Sequence, residues 1–378
     1  VSRLRLSLAV VLALFTGAFA CVPSADAIPP GPRLVFLEGE YVVKVKEGEP
    51  SAVGAVGRLV NTDPSGNDPR ILPTPSSLSV SALRFSWAAD GSKYAFFGKP
   101  VKLAKKERAG KGEEAATNRV YVINADGTGL HRIDGTEGTN SAVISPDGSM
   151  VAFTRTHAHH PPIKWKNPKS ILESFKRSYL SRTTWIVPTA GGKPRRLTSW
   201  SNHLLTEPTS FSPDGATLLV SITKAGSETE VDAIDLATGK RRTIEADASE
   251  ASYSADGSKI AFISNRDHES MQGFADREAI SEVYVAAADG SGATRVTHTP
   301  KTNEIDPNFD PSGARLAYLA APGGLFGSLE GRATEINVDG TCTATLSPAE
   351  PRRKKGVMLI GIPSWLPGPE RGAGPLSC

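Results

Sequence analysis

Apolar residues in this chain come in short runs, and turn-forming residues separate those runs in a fixed order. Six times an aromatic or aliphatic residue precedes a tight turn, and a short apolar stretch follows. The copies read Trp87-Ala-Ala-Asp90-Gly91, Ile144-Ser-Pro146-Asp147-Gly148, Phe211-Ser-Pro213-Asp214-Gly215, Tyr253-Ser-Ala-Asp256-Gly257, Phe309-Asp-Pro311-Ser-Gly313 and Trp365-Leu-Pro367-Gly368. A spacing of roughly 40–50 residues or slightly more marks a repeat architecture. Around Tyr253 the text unfolds into four strands. Ala251–Tyr253 is strand a, and Lys259-Ile-Ala-Phe-Ile263 is strand b. Glu282–Val285 is strand c, and Thr294–Thr297, after the Asp289-Gly290 turn, is strand d. In the a–b turn Pro presets φ, Asp tolerates the next position and Gly takes the left-handed conformation that closes the hairpin. Strand b is almost unbroken apolar, as a strand buried on both faces requires. Its central Ala leaves room for a neighbouring sheet.

Strands c and d recur with their own turn, as Arg119–Ile123 with Leu130–Ile133 and Thr184–Val187 with Pro194–Leu197. A four-stranded antiparallel meander repeated around a ring is a β-propeller. The ends complete each other. Trp365 closes a strand a with no strand b after it, and Arg33–Leu37 is a strand b with no strand a before it. The expected fold is all-β: a six-bladed propeller in which the C-terminal strand completes the N-terminal blade. Such closure removes sheet edges that invite aggregation. Residues 28–378 then form one domain, with a tail at 368–378.

The Phe/Trp-Ser-Pro-Asp-Gly turn, the Ile-Ala-Phe strand, the Asp-Gly turn and the Arg-Arg-Leu-Thr strand end resemble the TolB-type propeller repeat of bacterial envelope proteins. The resemblance covers roughly residues 33–367. It implies an envelope location and a protein- or ligand-binding role. TolB carries an additional α/β domain before its propeller, and this chain is expected to lack one. The same propeller precedes the hydrolase domain of prolyl-oligopeptidase-like enzymes, but no Gly-x-Ser-x-Gly elbow occurs here. Ser264-Asn-Arg266-Asp267 resembles a loop that usually makes a structural ion pair in this family.

Composition adds a leader and removes a partner class. Arg3 and Arg5 precede an apolar run from Leu6 to Ala20, followed by small-residue cleavage sites before Cys21 and Ile28. The run suits an export signal over residues 1–27. Cleavage before Cys21 would make it a lipidated residue, and then the only membrane attachment would be a lipid anchor. The protein is expected in the periplasm or outside the cell. Net charge is only +3, so no overall basic field argues for nucleic acid. Export makes a disulfide possible between Cys342 and Cys378. Strand a of the N-terminal blade ends at Trp365, on the face that carries the c–d turn next to Cys342. The 11 residues from Pro367 to Cys378 reach up to about 36 Å.

Topology sorts the loops. The a–b and c–d turns lie on one face of the ring and are short. The b–c connections lie on the other face and are long: 38–57, 98–117, 155–182, 265–281 and 320–332, with 224–230 short. Loops on a rigid scaffold are where binding usually resides, though these could equally cover the channel mouth. The connection after Phe97 carries Lys99, Lys102, Lys105, Lys106, Arg108 and Lys111. The next carries Lys164, Lys166, Lys169, Lys176, Arg177 and Arg182, with Ile171, Leu172, Phe175 and Tyr179 at helical spacing. These residues could attract an anionic cell-wall ligand or an acidic envelope protein, or form solvated loops. His157, His159 and His160 hold three of the seven histidines. His157 and His159 share one side if strand b extends that far, an arrangement that suits a transition metal or mere exposure. The expected protein is a monomeric, non-enzymatic binding module without cofactor. The alternatives are a propeller hydrolase or lyase using the central channel, and a lipid-anchored structural envelope protein.

Overall fold

A computed structural model describes residues 31–46, 49–65, 68, 70–72, 78–80, 85–100, 118–159, 179–199, 201, 204–224, 228–267, 280–300, 302–322, 331–346, 357–360, 363–368 and 372–378. Over 36–46, 49–58, 158–159, 179–180 and 357–360, and at 79, 322 and 346, only the backbone course is described. The expected leader over residues 1–27, Cys21, Lys102, Lys105, Lys106, His160, Lys164, Lys166 and Lys169 lie outside the described residues.

Every regular element among the described residues is a β-strand. The first sheet contains β1 (Leu34–Lys46), β2 (Glu49–Thr62) and β3 (Arg70–Ile71). The second contains β4 (Leu78–Val80), β5 (Ser86–Trp87), β6 (Lys93–Pro100), β7 (Arg119–Asn124) and β8 (His131–Arg132). An eight-stranded sheet follows. One half of it holds β9 (Ala142–Ile144), β10 (Met150–His159), β11 (Tyr179–Pro188) and β12 (Arg195–Arg196). The other half holds β13 (Leu205–Phe211), β14 (Thr217–Thr223), β15 (Thr229–Asp235) and β16 (Arg241–Ala246). The halves touch through one parallel pairing, Arg182 with Leu205. Two four-stranded meanders come next. They are β17 (Ala248–Tyr253), β18 (Lys259–Ser264), β19 (Glu282–Ala287) and β20 (Thr294–Arg295), then β21 (Thr302–Phe309), β22 (Arg315–Pro322), β23 (Arg332–Asn337) and β24 (Thr343–Leu346). Finally β25 (Val357–Ile360) and β26 (Ser364–Trp365) return to β1, with Leu34 opposite Trp365 and Glu38 opposite Ile360. The C-terminal strand thus enters the N-terminal sheet.

Packing joins each four-strand unit to the next. Ala95 of β6 sits with Val151 and Phe153 of β10, and Ala152 sits with Leu218 and Val220 of β14. Ala261 sits with Leu316 and Tyr318 of β22, and Ala317 with Leu34 of β1 and Trp365. The small residue in these four strands admits the large ones of the neighbouring sheet, and all these positions are almost fully buried. Sheets stacked face to face in this way, with the last returning to the first, form a β-propeller.

The turns hold by the expected chemistry. In four of them a Ser hydroxyl and an Asp carboxylate bond across the turn, as in Ser212 with Asp214 and Ser254 with Asp256. The glycines of the five turns from Gly91 to Gly313 have φ between 69° and 72°. The Thr of the Arg-Leu-Thr strand end also has a task. Thr198 and Thr297 accept N–H groups of Thr184 and Val283 at 2.8 Å, closing strand d onto strand c.

Several connections read as loops are strands. The 38–57 segment is a hairpin arm of β1 and β2, paired as far as Lys46 with Glu49 and flanked by β25. Likewise β10 and β11 run on to His159 and back from Tyr179. Backbone ladders hold these extensions. Lys99 belongs to β6 and is buried, not to a solvated insertion. Arg182 belongs to β11 and pairs with Glu207 at 3.7 Å. Tyr179 is a strand residue and not the end of a helix.

Candidate functional site

The innermost strands β5, β9, β13, β17, β21 and β26 surround a central channel. Its inner cavity measures about 210 Å³, and a wider cavity of about 560 Å³ opens among the a–b turns. The residue before each turn reaches this mouth: Trp87, Ile144, Phe211, Tyr253, Phe309 and Trp365. The turn prolines Pro146, Pro213, Pro311 and Pro367 line it beside them. Except for Tyr253 the six residues before the turns are buried, so they present edges to the cavity and bodies to the core. The repeated aromatic is therefore both a core residue and a wall.

Deeper in, polar groups link one inner strand to the next. Ser86 accepts the Ile144 N–H at 2.9 Å, and Ser210 accepts that of Tyr253 at 3.3 Å. Ser252 donates to the Pro307 carbonyl at 2.7 Å. Asn308 accepts the Trp365 N–H at 3.2 Å and donates to the Pro363 carbonyl at 2.7 Å, which ties β26 to β21. Register irregularities interrupt β13, β17 and β21 at matching places, between Pro208 and Ser210, Ser249 and Ser252, and Ile305 and Asn308. Glu250 and Asp306 take φ of 54° and 53° there, a region costly for side chains with a Cβ. The Glu250 carboxylate accepts the Asp306 N–H at 2.8 Å, which helps hold both.

Carboxyl groups cluster where β19 meets β21. Glu282 accepts from Arg295 at 2.8 Å and from Thr297 and the Thr299 N–H. Thr299 Oγ1 lies between Glu282 and Glu304. Burial, assisted by the Glu282 charge, pushes Glu304 up to about 8. Its Oε2 has no hydrogen-bond partner. The Ser264–Asp267 loop makes ion pairs, Arg266 to Glu245 and Arg295 to Asp267, each at 2.8 Å. Arg266 also lies over the Tyr284 ring, 4.9 Å from its centroid.

Of the sequence candidates, His157 is exposed on β10 and lines neither cavity, and the backbone of His159 pairs with Tyr179. Among the described residues no group of three His, Cys, Asp or Glu is placed to hold a metal ion. A disulfide joins Cys342 to Cys378, with Cα atoms 5.2 Å apart. Sequence reasoning passed over the channel mouth, although its signal was the repeat motif itself. The apolar residue before the turn points inward in every copy.

In arrangement the chain is a β-propeller similar to TolB. It matches the crystal structure of TolB from Acinetobacter baumannii with a TM-score of 0.59 at 16% identity, over 89% of this chain and 67% of that one. It matches a putative TolB from Agrobacterium tumefaciens with a TM-score of 0.50 at 16% identity, over 89% of this chain and 100% of that one. An oligogalacturonate lyase in complex with manganese aligns at 15% identity with a TM-score of 0.46, over 74% and 70% of the two chains, a likeness too slight to bear on chemistry. No protein-family model matches the sequence, and neither does any curated protein. At these identities the similarity concerns the fold.

Proposed function

We propose that this is an exported, six-bladed, non-enzymatic binding propeller that takes an extended segment of an envelope protein at the short-turn mouth of its channel. The blade count treats the eight-stranded sheet as two blades, because its halves share only one parallel pairing. The observation that carries the function is the collar. Six inner strands bring one apolar edge each to a cavity of about 560 Å³, a volume in the range of ligand sites. The polar groups below it largely serve one another, as in Glu250 with Asp306 and Asn308 with Pro363. Such a site suits recognition. Export is supported by the leader and by the disulfide, and a TolB-like fold is consistent with an envelope setting. The protein acts as a monomer without a cofactor, attached to membrane only if Cys21 is lipidated.

A second reading keeps the basic insertions as the working surface, and the length variation of the b–c connections favours it. One experiment separates the two. Ala89 and Ala255 are exposed at the channel mouth, so Ala89→Trp and Ala255→Trp narrow it without entering the core. A photo-crosslinker at Ala255 and another at Lys105 identify what each face touches in the native envelope. Loss of the Ala255 adduct in Ala89→Trp, with the Lys105 position silent, supports the channel mouth. An adduct only at Lys105, unaffected by Ala89→Trp, removes it. The enzyme alternative predicts metal bound to the purified protein, which elemental analysis reads directly.

A further inference from the structure

We infer that the short-turn side of the β21–β24 sheet is a docking site that reads the backbone of a polypeptide segment. In the oxidised protein the disulfide locks the chain's own tail, residues 372–378, into it. The tail is held by side chains acting on its main chain. The Asp310 carboxylate accepts the Ala373 N–H at 2.8 Å, and Ser312 Oγ accepts that of Gly374 at 3.2 Å. Arg315 donates to the carbonyls of Ala373, at 2.9 Å, and of Gly374. Asn337 accepts the Leu376 N–H at 2.6 Å and donates to the Leu376 carbonyl at 3.1 Å. A ligand read in this way is defined by its main chain and by small residues, with Gly374 left-handed at φ 64°. A Cβ on Gly372 would come within 2.8 Å of the Ser312 Cβ, so glycine is required there.

An independent observation lies in the repeat itself. This sheet departs from the other copies at four places, and all four serve the tail. In three other copies the a–b turn has Ser first and Asp third, as in Ser212 and Asp214. Here Asp310 comes first and Ser312 third. The bond across the turn survives the exchange, and a carboxylate gains the position that meets Ala373. Glu335 is buried where the matching strand positions are Val122, Ile186, Ala233 and Val285. It holds Arg315 at 2.8 Å, aimed at the tail. Cys342 occupies the c–d turn place of Gly129 and Gly292, at φ 47° against their 65° and 69°. A side chain is accepted in a glycine conformation, and it carries the lock. The strap starts at the channel rim, because Pro367 and Gly368 line the mouth.

A dithiol reductant opens the lock. Its first thiolate attacks one sulfur of the bond and forms a mixed disulfide. Its second thiolate resolves that, leaving Cys342 and Cys378 as thiols and the reductant as a disulfide. Hydrogen exchange on the full chain, oxidised and after dithiothreitol, reads the release. The amides of Ala373, Gly374 and Leu376 are expected to exchange about tenfold faster or more after reduction, with β22 and β23 unchanged. Tail exchange that reduction leaves unaltered overturns the lock. The site is tested with the full chain carrying Cys21→Ser, Gly372→Val and Cys378→Ser, which leaves Cys342 as its one thiol and its tail unable to seat. The probe is the synthetic peptide Gly-Ala-Gly-Pro-Leu-Ser-Cys, activated as a mixed disulfide with thionitrobenzoate. The Cys342 thiolate attacks the peptide sulfur and thionitrobenzoate leaves, read by its colour. The peptide is expected to react about tenfold faster than one with Val in first place, because docking raises its local concentration. Asn337→Ala should narrow the difference. Equal rates for the two peptides overturn the docking site.

Discussion

Glu304 shows what one buried side chain imposes on the molecule. Folding turns an ordinary carboxyl into one that ionises at about 8, because burial and the Glu282 charge oppose its anion. The folded chain therefore keeps a proton that the unfolded chain releases. This group's stability is complete below the usual carboxylate range, falls as pH rises through it, and levels off above about 8. Glu304→Gln keeps the shape and removes the charge. Its melting advantage over the wild type should be absent near pH 4 and grow to a plateau above about pH 8, on the order of 5 kcal/mol. A difference flat with pH would mean that Glu304 is not the neutral member of the pair. Asp256 has the opposite sign. Ser254 and Ser258 hold its carboxyl down to about 2, so its contribution is present above the usual range and fades as pH falls.

At the scale of elements, β26 is two residues long yet joins the ends of the chain. Trp365 and Leu366 are buried, and Asn308 grips both sides of the strand. Asn308→Ala should cost about 2 kcal/mol, since buried backbone groups lose their partner; denaturant unfolding measures it. Truncation before Ile362 removes β26 and leaves the edge of β1 unpaired. That chain should aggregate or lose cooperative unfolding, and a melt like that of the full chain would dismiss the closure. Strand identity and order were legible here because short apolar runs and turn chemistry are local. Strand length was not. The arm of β1 and β2 persists through a ladder between two segments, and no single segment encodes that.

Across the whole molecule, two predictions concern the ends and the faces. Reduction of Cys342–Cys378 should lower stability by about 2–4 kcal/mol, because the bond constrains the unfolded chain. Thiol labelling of the unfolded, unreduced protein should find neither Cys342 nor Cys378 free. If the basic insertions form the working face, charge reversal at Lys102, Lys105 and Lys106, or at Lys164, Lys166 and Lys169, should weaken binding of an anionic partner. The effect should shrink with added salt, which shortens the screening length. Melting should shift by no more than about 0.5 kcal/mol per site. Unchanged binding by both variants, measured by titration, would leave the channel mouth as the working surface.

The sequence by itself determined the repeat, the strand order, the turn chemistry and the pairing of the two ends. Each depends on residues close in the chain, or on a period that one strand of text displays. It also pointed to the cysteine pair, because the turn next to Cys342 and the end at Trp365 fall on one face of a meander. Only the tertiary structure decided what the repeated residues surround. Trp87, Ile144, Phe211, Tyr253, Phe309 and Trp365 lie far apart in sequence, and they meet because each ends an inner strand of the ring. The same holds for Asp310, Arg315, Asn337 and the tail. The departures at Asp310, Ser312, Glu335 and Cys342 look like drift along the chain and become one site when the tail folds back over them.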